Sequence, residues 1–259
     1  MPRLRDLDLA RHLADPALKQ RFVTPMFELV APRYDDFTRA FSYGMDGKWK
    51  RVAVAELASH ATSGSRVMDL ACGTGDLAFA AAAAIPASRV AGVDASPRMI
   101  ESARARATHA GGPSFTVGDM AHLDATDASL DAITAGYAFR NVPDHRAALR
   151  EAARVLRPSG VIVTLDFFRP QAAPWRALFL AYLRVAGNLF GWWWHREPVA
   201  YGYIAPSIAA FVGWRQFSAD LDAAGFDVQR VHRYLMGGVA IHVATRRAVE
   251  KTHAVSSRP

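Results

Sequence analysis

The residues Asp69-Leu70-Ala71-Cys72-Gly73-Thr74-Gly75-Asp76 gather two glycines, a hydroxyl and two bracketing carboxylates into one short stretch. Gly73 and Gly75 let a backbone turn tightly and approach a ligand where any Cβ would collide. Before the stretch, Ser65-Arg66-Val67-Met68 reads as the start of a buried strand; after it, Leu77 to Ile85 is an Ala-rich run with helical composition. A strand that breaks at glycines and re-emerges as a helix is the first unit of a nucleotide-binding α/β domain. The helix's unpaired N–H groups then point at the ligand.

Gly73-x-Gly75-x-x-Ala78 also meets the loose dinucleotide pattern, so a hydride-transfer enzyme is one reading. Charge separates the two. A dinucleotide would set its doubly negative pyrophosphate between Asp69 and Asp76. S-adenosylmethionine would set an amino acid and a sulfonium cation there, which acidic surroundings suit. The methyl donor is the favoured ligand. Cys72 is the only cysteine, which excludes an internal disulfide framework and a multi-cysteine zinc site, and no metal centre is expected. With no histidine close in sequence it reads as a small buried filler, in a reducing, intracellular setting.

Further along, Arg89-Val90-Ala91-Gly92-Val93-Asp94 reads as a buried strand ending in an acid. An acid about twenty residues beyond the glycines is placed to take both ribose hydroxyls of an adenosine. Ser96-Pro97 then opens a helix as N-cap and first residue. Ser114 to Asp119 repeats the logic, placing Asp119 and Met120 to meet the adenine by hydrogen bond and apolar contact. The alternative is that each acid only caps the next helix; two such acids beside one glycine loop weigh against it.

The elements that must hold these residues follow in regular alternation. Leu130 to Gly136 is a fourth strand running into Tyr137-Ala138-Phe139-Arg140-Asn141-Val142-Pro143, with a helix from about Asp144 to Leu156 and a fifth strand at Val161–Asp166. Trp175 to Trp194 is apolar, interrupted by Arg176, Arg184, Asn188 and two glycines. A helix ends at Gly225, and Phe226–Val231 with Val239–Ala244 alternate as a closing antiparallel pair. Residues up to about Ala58 read as helices broken at Pro16, Pro25 and Pro32, folded as a lid over the glycine loop. The expected fold is α/β: a doubly wound, Rossmann-like, mostly parallel sheet. The expected division is a lid over 1–58, a donor-binding domain over 59–247 with a cover inserted at 168–213, and a disordered tail over 248–259.

The formal net charge is +7, yet bases are scattered among acids, with small groups only at Lys48-Trp49-Lys50-Arg51 and Arg246-Arg247. That fits a solvated surface, or attraction to an anionic membrane, at least as well as a nucleic-acid groove. The first twenty residues mix acids and bases without an apolar core and do not read as a secretory signal.

MFELVAPRYD, FSYGMDGKWKR, VMDLACGTGDLA, GVDASPRMI, FRNVPD with ALREAARVLRPSG, AYGYIAPSI, and AGF followed by GGVAIH together resemble the ubiquinone/menaquinone biosynthesis C-methyltransferases, a family of class I S-adenosylmethionine-dependent enzymes. The resemblance runs from about Phe22 to about Thr245. It implies the class I methyltransferase fold, with Thr74, Gly73 and Gly75 on the donor's amino-acid part, Asp94 on the ribose, and Asp119 with Met120 on the adenine. Gly136 is a further donor contact, and Tyr34, Asp69 and Ala95 complete the expected donor set. The chain departs from the family at Gly136, usually serine; at Ala138, usually glycine; at Asp119, often neutral; and in its Trp192-Trp193-Trp194 run. Ala138 and the Trp run lie where the acceptor is expected.

The implied acceptor is a lipophilic quinol, a demethylmenaquinol or a benzoquinol, methylated on a ring carbon. Such a ring needs a phenolate to push charge onto that carbon. Arg140 follows the fourth strand and can favour the phenolate, though a guanidinium is no base; Asn141 can orient the ring oxygen or a water. The alternative is an Arg140–Asp144 pair that merely caps the next helix. His145, His195 and His242 read as structural or exposed. A nucleic-acid or protein methyltransferase is disfavoured because AGYAFRNV stands where an Asn-Pro-Pro-Tyr motif would orient an amine. A paralogue acting on carbon or oxygen of another phenol is the stronger rival. Trp175–Trp194 is expected to form an amphipathic cover, its apolar face on the acceptor's tail and its tryptophans at headgroup level. A helix packed inside the fold is the other reading of that run. The expected setting is cytoplasmic, with transient contact at the inner face of the membrane; no nucleic-acid partner is expected, and a homodimer is left open.

Overall fold

A run such as Val161-Ile162-Val163-Thr164-Leu165 has no polar face to offer water, so it must be covered on both sides. In the computed structural model, which describes residues 15–108, 111–195 and 199–248, that run is fully or almost fully buried at the middle of a seven-stranded sheet. The strands are β1 (Arg66–Leu70), β2 (Arg89–Asp94), β3 (Ser114–Val117), β4 (Leu130–Gly136), β5 (Leu156–Phe167), β6 (Phe226–Tyr234) and β7 (Val239–Arg246). Their order is β3-β2-β1-β4-β5-β7-β6. All neighbouring pairs are parallel except β5–β7 and β7–β6, which close the sheet in antiparallel register, with Thr164 opposite His242 and Asp166 opposite Ala240. The doubly wound sheet and its closing pair are as the sequence implies.

The helices, in chain order, are α1 (Pro16–Val30), α2 (Tyr34–Phe41), α3 (Met45–His60), α4 (Asp76–Ala84), α5 (Pro97–Arg106), α6 (His145–Val155), α7 (Ala173–His195), α8 (Val199–Gly202), α9 (Ile204–Ala210) and α10 (Trp214–Ala223). One face of the sheet is covered by Trp49 and Leu57 of α3, Ala78 and Ala81 of α4 and Ile100 of α5. The other is covered by Leu149 and Ala152 of α6 and Phe217 and Leu221 of α10. Caps set the helix starts. Ser96 accepts from Met99 N–H ahead of Pro97 in α5, and Asp144 accepts from Arg146 and Ala147 N–H, so α6 begins one residue later than the sequence reading.

Two expectations are corrected here. Pro25 does not break the first helix: α1 runs through it from Pro16 to Val30. The ring removes one hydrogen bond, but Phe22, Val23 and Met26 are almost fully buried beside it, and their packing against Tyr203 holds the turn together. The Lys48–Arg51 group is solvated only in part: Lys48 and Arg51 are exposed, but Trp49 is buried and Lys50 is locked between Asp46 and Asp76. The part of the expected lid before residue 15, and the expected disordered tail from residue 249, lie outside the described residues.

The inward side chains of α7, Phe179 and Leu183, pack on Phe37 and Phe41 of α2 and on Ile204 of α9. Trp192 and Trp193 point into solvent, 63% and 70% exposed, so these two do not stand inside the fold where the acceptor is expected. The side chain of Trp194 lies outside the described residues. Among the described residues no helix is long and apolar enough to cross a membrane.

Candidate functional site

The carboxyl end of β1 turns sharply at Ala71 and Gly73, both left-handed with φ of 51° and 54°, and re-enters a helix after Gly75. Asp69 lies under this turn, 1% exposed; its Oδ2 accepts the N–H of Ala78, while Oδ1 is buried without a hydrogen bond. Burial holds its carboxyl well above the usual carboxylate range, and the nearby Asp94 and Asp76 add to that. An orphaned carboxylate oxygen beside a glycine turn suits a ligand that brings a cationic N–H donor. Asp94 ends β2 and ties two loops together: Oδ2 accepts Gly73 N–H at 2.9 Å and Oδ1 accepts Ser96 N–H at 2.8 Å. Burial raises its pKa, and those two N–H groups oppose the shift.

The N-terminal helices, the expected lid, are tied to this loop by polar contacts. Thr74 Oγ1 donates to Asp35 of α2 at 2.8 Å. Arg106 at the end of α5 donates to the Thr74 carbonyl at 2.8 Å and to Asp76 at 2.8 Å. Lys50 bridges Asp46 and Asp76 at 2.8 and 2.9 Å, and although burial penalises its ammonium, the two carboxylates outweigh that and raise its pKa. Tyr34, next to Asp35, stands over Gly73: a Cβ there would come within 4.0 Å of its ring.

Three cavities meet under this lid. The first, about 670 Å³, is lined by Gly73, Asp94, Ala95, Asp119, Met120, Gly136 and Asn141 below and by Gln20, Thr24 and Phe27 of α1 above. A smaller one holds Asp69, Gly73, Thr74, Asp76 and Lys50. The third, about 550 Å³, is almost wholly apolar; Met26, Phe37, Phe41, Phe167, Tyr201 and Tyr203 surround one cation, Arg140. Tyr34 and Tyr137 line all three.

Arg140 is held from every side. It is 6% exposed; Nη1 donates to Asn141 Oδ1 at 2.9 Å and to Ser207 Oγ at 3.2 Å. Nε lies 3.4 Å from Asp166 Oδ1, near enough for an ion pair but outside hydrogen-bond geometry, so it makes no hydrogen bond. Asp166 accepts the backbone N–H groups of Arg140 and Phe167, and burial lifts its carboxyl to about 6 against the pull of the guanidinium. Asn141 is held at both ends of its amide, donating from Nδ2 to the Tyr137 carbonyl and accepting at Oδ1 from Arg140 and Tyr203. Tyr137 is itself left-handed, φ 58°, and its hydroxyl donates to Asp46 at 2.7 Å.

The fold therefore brings Tyr34, Asp69, Gly73, Thr74, Asp94, Ala95, Asp119, Met120 and Gly136 around joined cavities, with Arg140 and Asn141 at their boundary. Gly75 is not among the lining residues. It is the left-handed N-cap of α4, and a Cβ there would meet Phe115 at 2.8 Å and Phe79 at 2.9 Å. The alternative pairing of Arg140 with Asp144 is overturned: Asp144 caps α6 alone and Asp166 is the partner. A serine at Gly136 would press on Leu77, whose Cδ1 lies 2.7 Å from the added Cβ, so the departure there matches a local close approach. His145 is paired to Asp220 at 2.8 Å and His242 is buried between Phe168 and Phe217, both away from the cavities' junction. Asp46, Lys50, Tyr137, Asp166, Tyr203 and Ser207 escaped the sequence reading. The spacing gave a signal only for Asp166, an acid at the end of a fifth parallel strand.

A family model described as the ubiE/COQ5 methyltransferase family matches residues 16–246. The ubiquinone/menaquinone biosynthesis C-methyltransferase UbiE of Geotalea daltonii is 34% identical over 232 residues, covering 86% of this chain and 96% of that one. The demethylmenaquinone methyltransferase of Thermus thermophilus is 36% identical over 222 residues, covering 85% of this chain and all of the relative. Among solved structures, a putative methyltransferase of Haloferax volcanii, crystallised with a methyltransferase activator, superposes with a TM-score of 0.62 at 20% identity, covering 86% of this chain and 98% of its own. Magnesium protoporphyrin IX methyltransferase of Synechocystis, with bound SAH, gives 0.55 at 20% identity, covering 79% and 84%. These two likenesses establish the shared fold.

Proposed function

Because this chain belongs to the ubiE/COQ5 methyltransferase family, we propose that it transfers a methyl group from S-adenosylmethionine to a ring carbon of a prenylated quinol, a demethylmenaquinol or a benzoquinol precursor of ubiquinone. The donor supplies the methyl group already activated on a positively charged sulfur. Asp69, Gly73 and Thr74 would hold its amino-acid end, Asp94 and Ala95 its ribose, and Asp119 with Met120 its adenine. Tyr34 closes over it, and Gly136 leaves room beside it. The quinol takes the apolar cavity.

Arg140 is the working group on the acceptor side. Its fixed charge favours ionisation of a ring hydroxyl, and each unit by which it lowers that pKa is worth about 1.4 kcal/mol. The resulting phenolate makes the ring carbon nucleophilic. Asn141, Tyr203 and Ser207 keep the guanidinium from swinging away, so no reorganisation is needed as charge develops. Asp166 anchors Arg140, while offsetting part of its charge. The apolar walls exclude water, which strengthens the interaction of guanidinium and phenolate. A membrane-resident acceptor further implies a cytoplasmic chain that touches the inner face of the membrane transiently.

One observation supports this reading above the rest. Neighbouring residues Arg140 and Asn141 line two different cavities, the apolar and the acid-lined one, that share Phe27, Tyr34 and Tyr137. A nucleophile and a methyl donor could meet there and nowhere else among the described cavities. The test is turnover of the purified chain with donor and a short-tailed reduced demethylmenaquinone, a demethylated benzoquinol or a soluble phenol, read by mass spectrometry. A quinol product heavier by one methylene, bonded at carbon, is expected. Methylation of soluble phenols alone would replace this acceptor with another.

A further inference from the structure

Six of the ten large apolar side chains exposed among the described residues sit on one helix, α7. Five of them, Leu178, Tyr182, Val185, Leu189 and Trp192, recur at alternating intervals of four and three, which lays them in a single stripe along the helix. The opposite side carries Phe179 and Leu183, already buried against the N-terminal helices, so α7 is apolar on two faces and, among the described residues, only one of them is buried. Exposures of 63% at Leu178, 69% at Val185 and 60% at Leu189 are far from the scattered surface leucines of an ordinary protein. At about 1.5 Å per residue the stripe is roughly 20 Å long. Tyr43, 76% exposed at the turn before α3, stacks on Tyr182 and widens it.

We propose that the outward stripe of α7 is a lipid-docking surface, which lays the chain on an anionic bilayer with the acceptor cavity directly behind the contact. The proposal rests on the lipophilic acceptor argued above. Charge identifies the occupant. The helix has no acidic residue among its 23, but it carries Arg176 and Arg184, the latter exposed beside the stripe. A second copy docked symmetrically would set that basic, acid-free face against itself, whereas anionic headgroups complement it and acyl chains accept the stripe and the two tryptophans. A spanning role is excluded for α7 by its hydropathy. Continuity with the cavity supplies the second argument. Tyr182 donates its hydroxyl to the Phe41 carbonyl at 3.4 Å and stacks on the Phe41 ring, and Phe41 lines the apolar cavity. One side-chain layer therefore separates the cavity from the docking face, and a prenyl tail has that distance to cross.

The experiment is flotation of the full chain with phosphatidylcholine vesicles, with and without phosphatidylglycerol, beside sedimentation without lipid. Wild type should float reversibly with the anionic vesicles and weakly with the neutral ones. Val185→Asp with Leu189→Asp should lower that partitioning at least tenfold, while Val117→Asp, at an exposed apolar site on β3 away from the stripe, should leave it unchanged. Both exposed positions tolerate the change without loss of fold, checked by donor affinity. The double variant should keep turnover on a short-tailed soluble quinol and lose it on a long-tailed quinol held in vesicles. A wild type that never floats, a double variant that floats equally, or a lipid-free dimer dissolved by the two aspartates each overturns the proposal. Failure of the short-tailed quinol with wild type would instead count against the acceptor reading and leave the flotation result standing.

Discussion

Arg140 shows what a single side chain owes to distance in sequence. Its type and place after β4 mark it in the sequence, but its hold on Asp166 spans 26 residues and that on Ser207 spans 67, so neither partner is visible in any local pattern. The same is true of Tyr137 and Asp46, hydrogen-bonded across 91 residues. The cluster of residues around the acid-lined cavities was legible because glycines and acids at strand ends obey a fixed spacing; the network behind it was not. Arg140→Lys keeps a charge but loses the planar guanidinium, whose Nη1 donates to both Asn141 and Ser207 while Nε faces Asp166. The variant should bind donor as wild type does and lose turnover by ten- to a hundredfold, about 1.4 to 3 kcal/mol. The deficit should be largest at low pH, where an unassisted phenol stays protonated. A deficit equal at every pH would show that Arg140 serves the fold rather than the phenolate.

At the scale of elements, periodicity found the strands and helices, and errors came where tertiary packing overruled a local rule. Pro25 sits inside α1 because the helix buries Phe22, Val23 and Met26 on one side. Gly75 is expected as a donor contact, and the structure adds a packing duty that no local pattern showed, at the join between β1 and α4. That duty is measurable. An alanine at 75 would adopt φ of 91° and collide with Phe115 at 2.8 Å, whereas one at Gly64, φ 82°, meets open space. Gly64→Ala should cost about 1 kcal/mol, the backbone share alone, and Gly75→Ala about 2–4 kcal/mol as packing strain adds to it. Urea unfolding of the two variants reads both values, and equal losses would remove the packing argument.

Across the whole molecule, buried ionisable groups give stability an acid limit. His242 lies in the core of β7, with Nε2 3.1 Å from both the Trp214 carbonyl and Ser218 Oγ. Burial lowers its pKa from 6.5 to about 4. The unfolded chain therefore binds the proton first, so His242 contributes stability that is complete above pH 6.5 and lost as pH falls toward 4, up to about 3 kcal/mol. Asp166 works in the opposite sense: burial raises its pKa from 3.8 to about 6, so its contribution is present below 3.8 and lost as pH rises through 6. Replacing His242 with Gln should flatten the acid side of the stability curve and unmask the reverse slope. Urea midpoints between pH 4 and 7 check this, and an unchanged wild-type slope in the variant would exonerate His242.

The roof over the two main cavities is made from the same pieces: Phe27 of α1 and Tyr34 of α2 belong to both. A gate common to two rooms couples their traffic. Opening it to discharge a demethylated donor would also unroof the quinol, and either guest that held it shut would detain the other. Escape of each ligand should then be slowed by the presence of its neighbour. Stopped-flow release of the spent donor, with and without an unreactive quinone in place, measures that mutual detention, and identical release rates would mean that the rooms have separate doors.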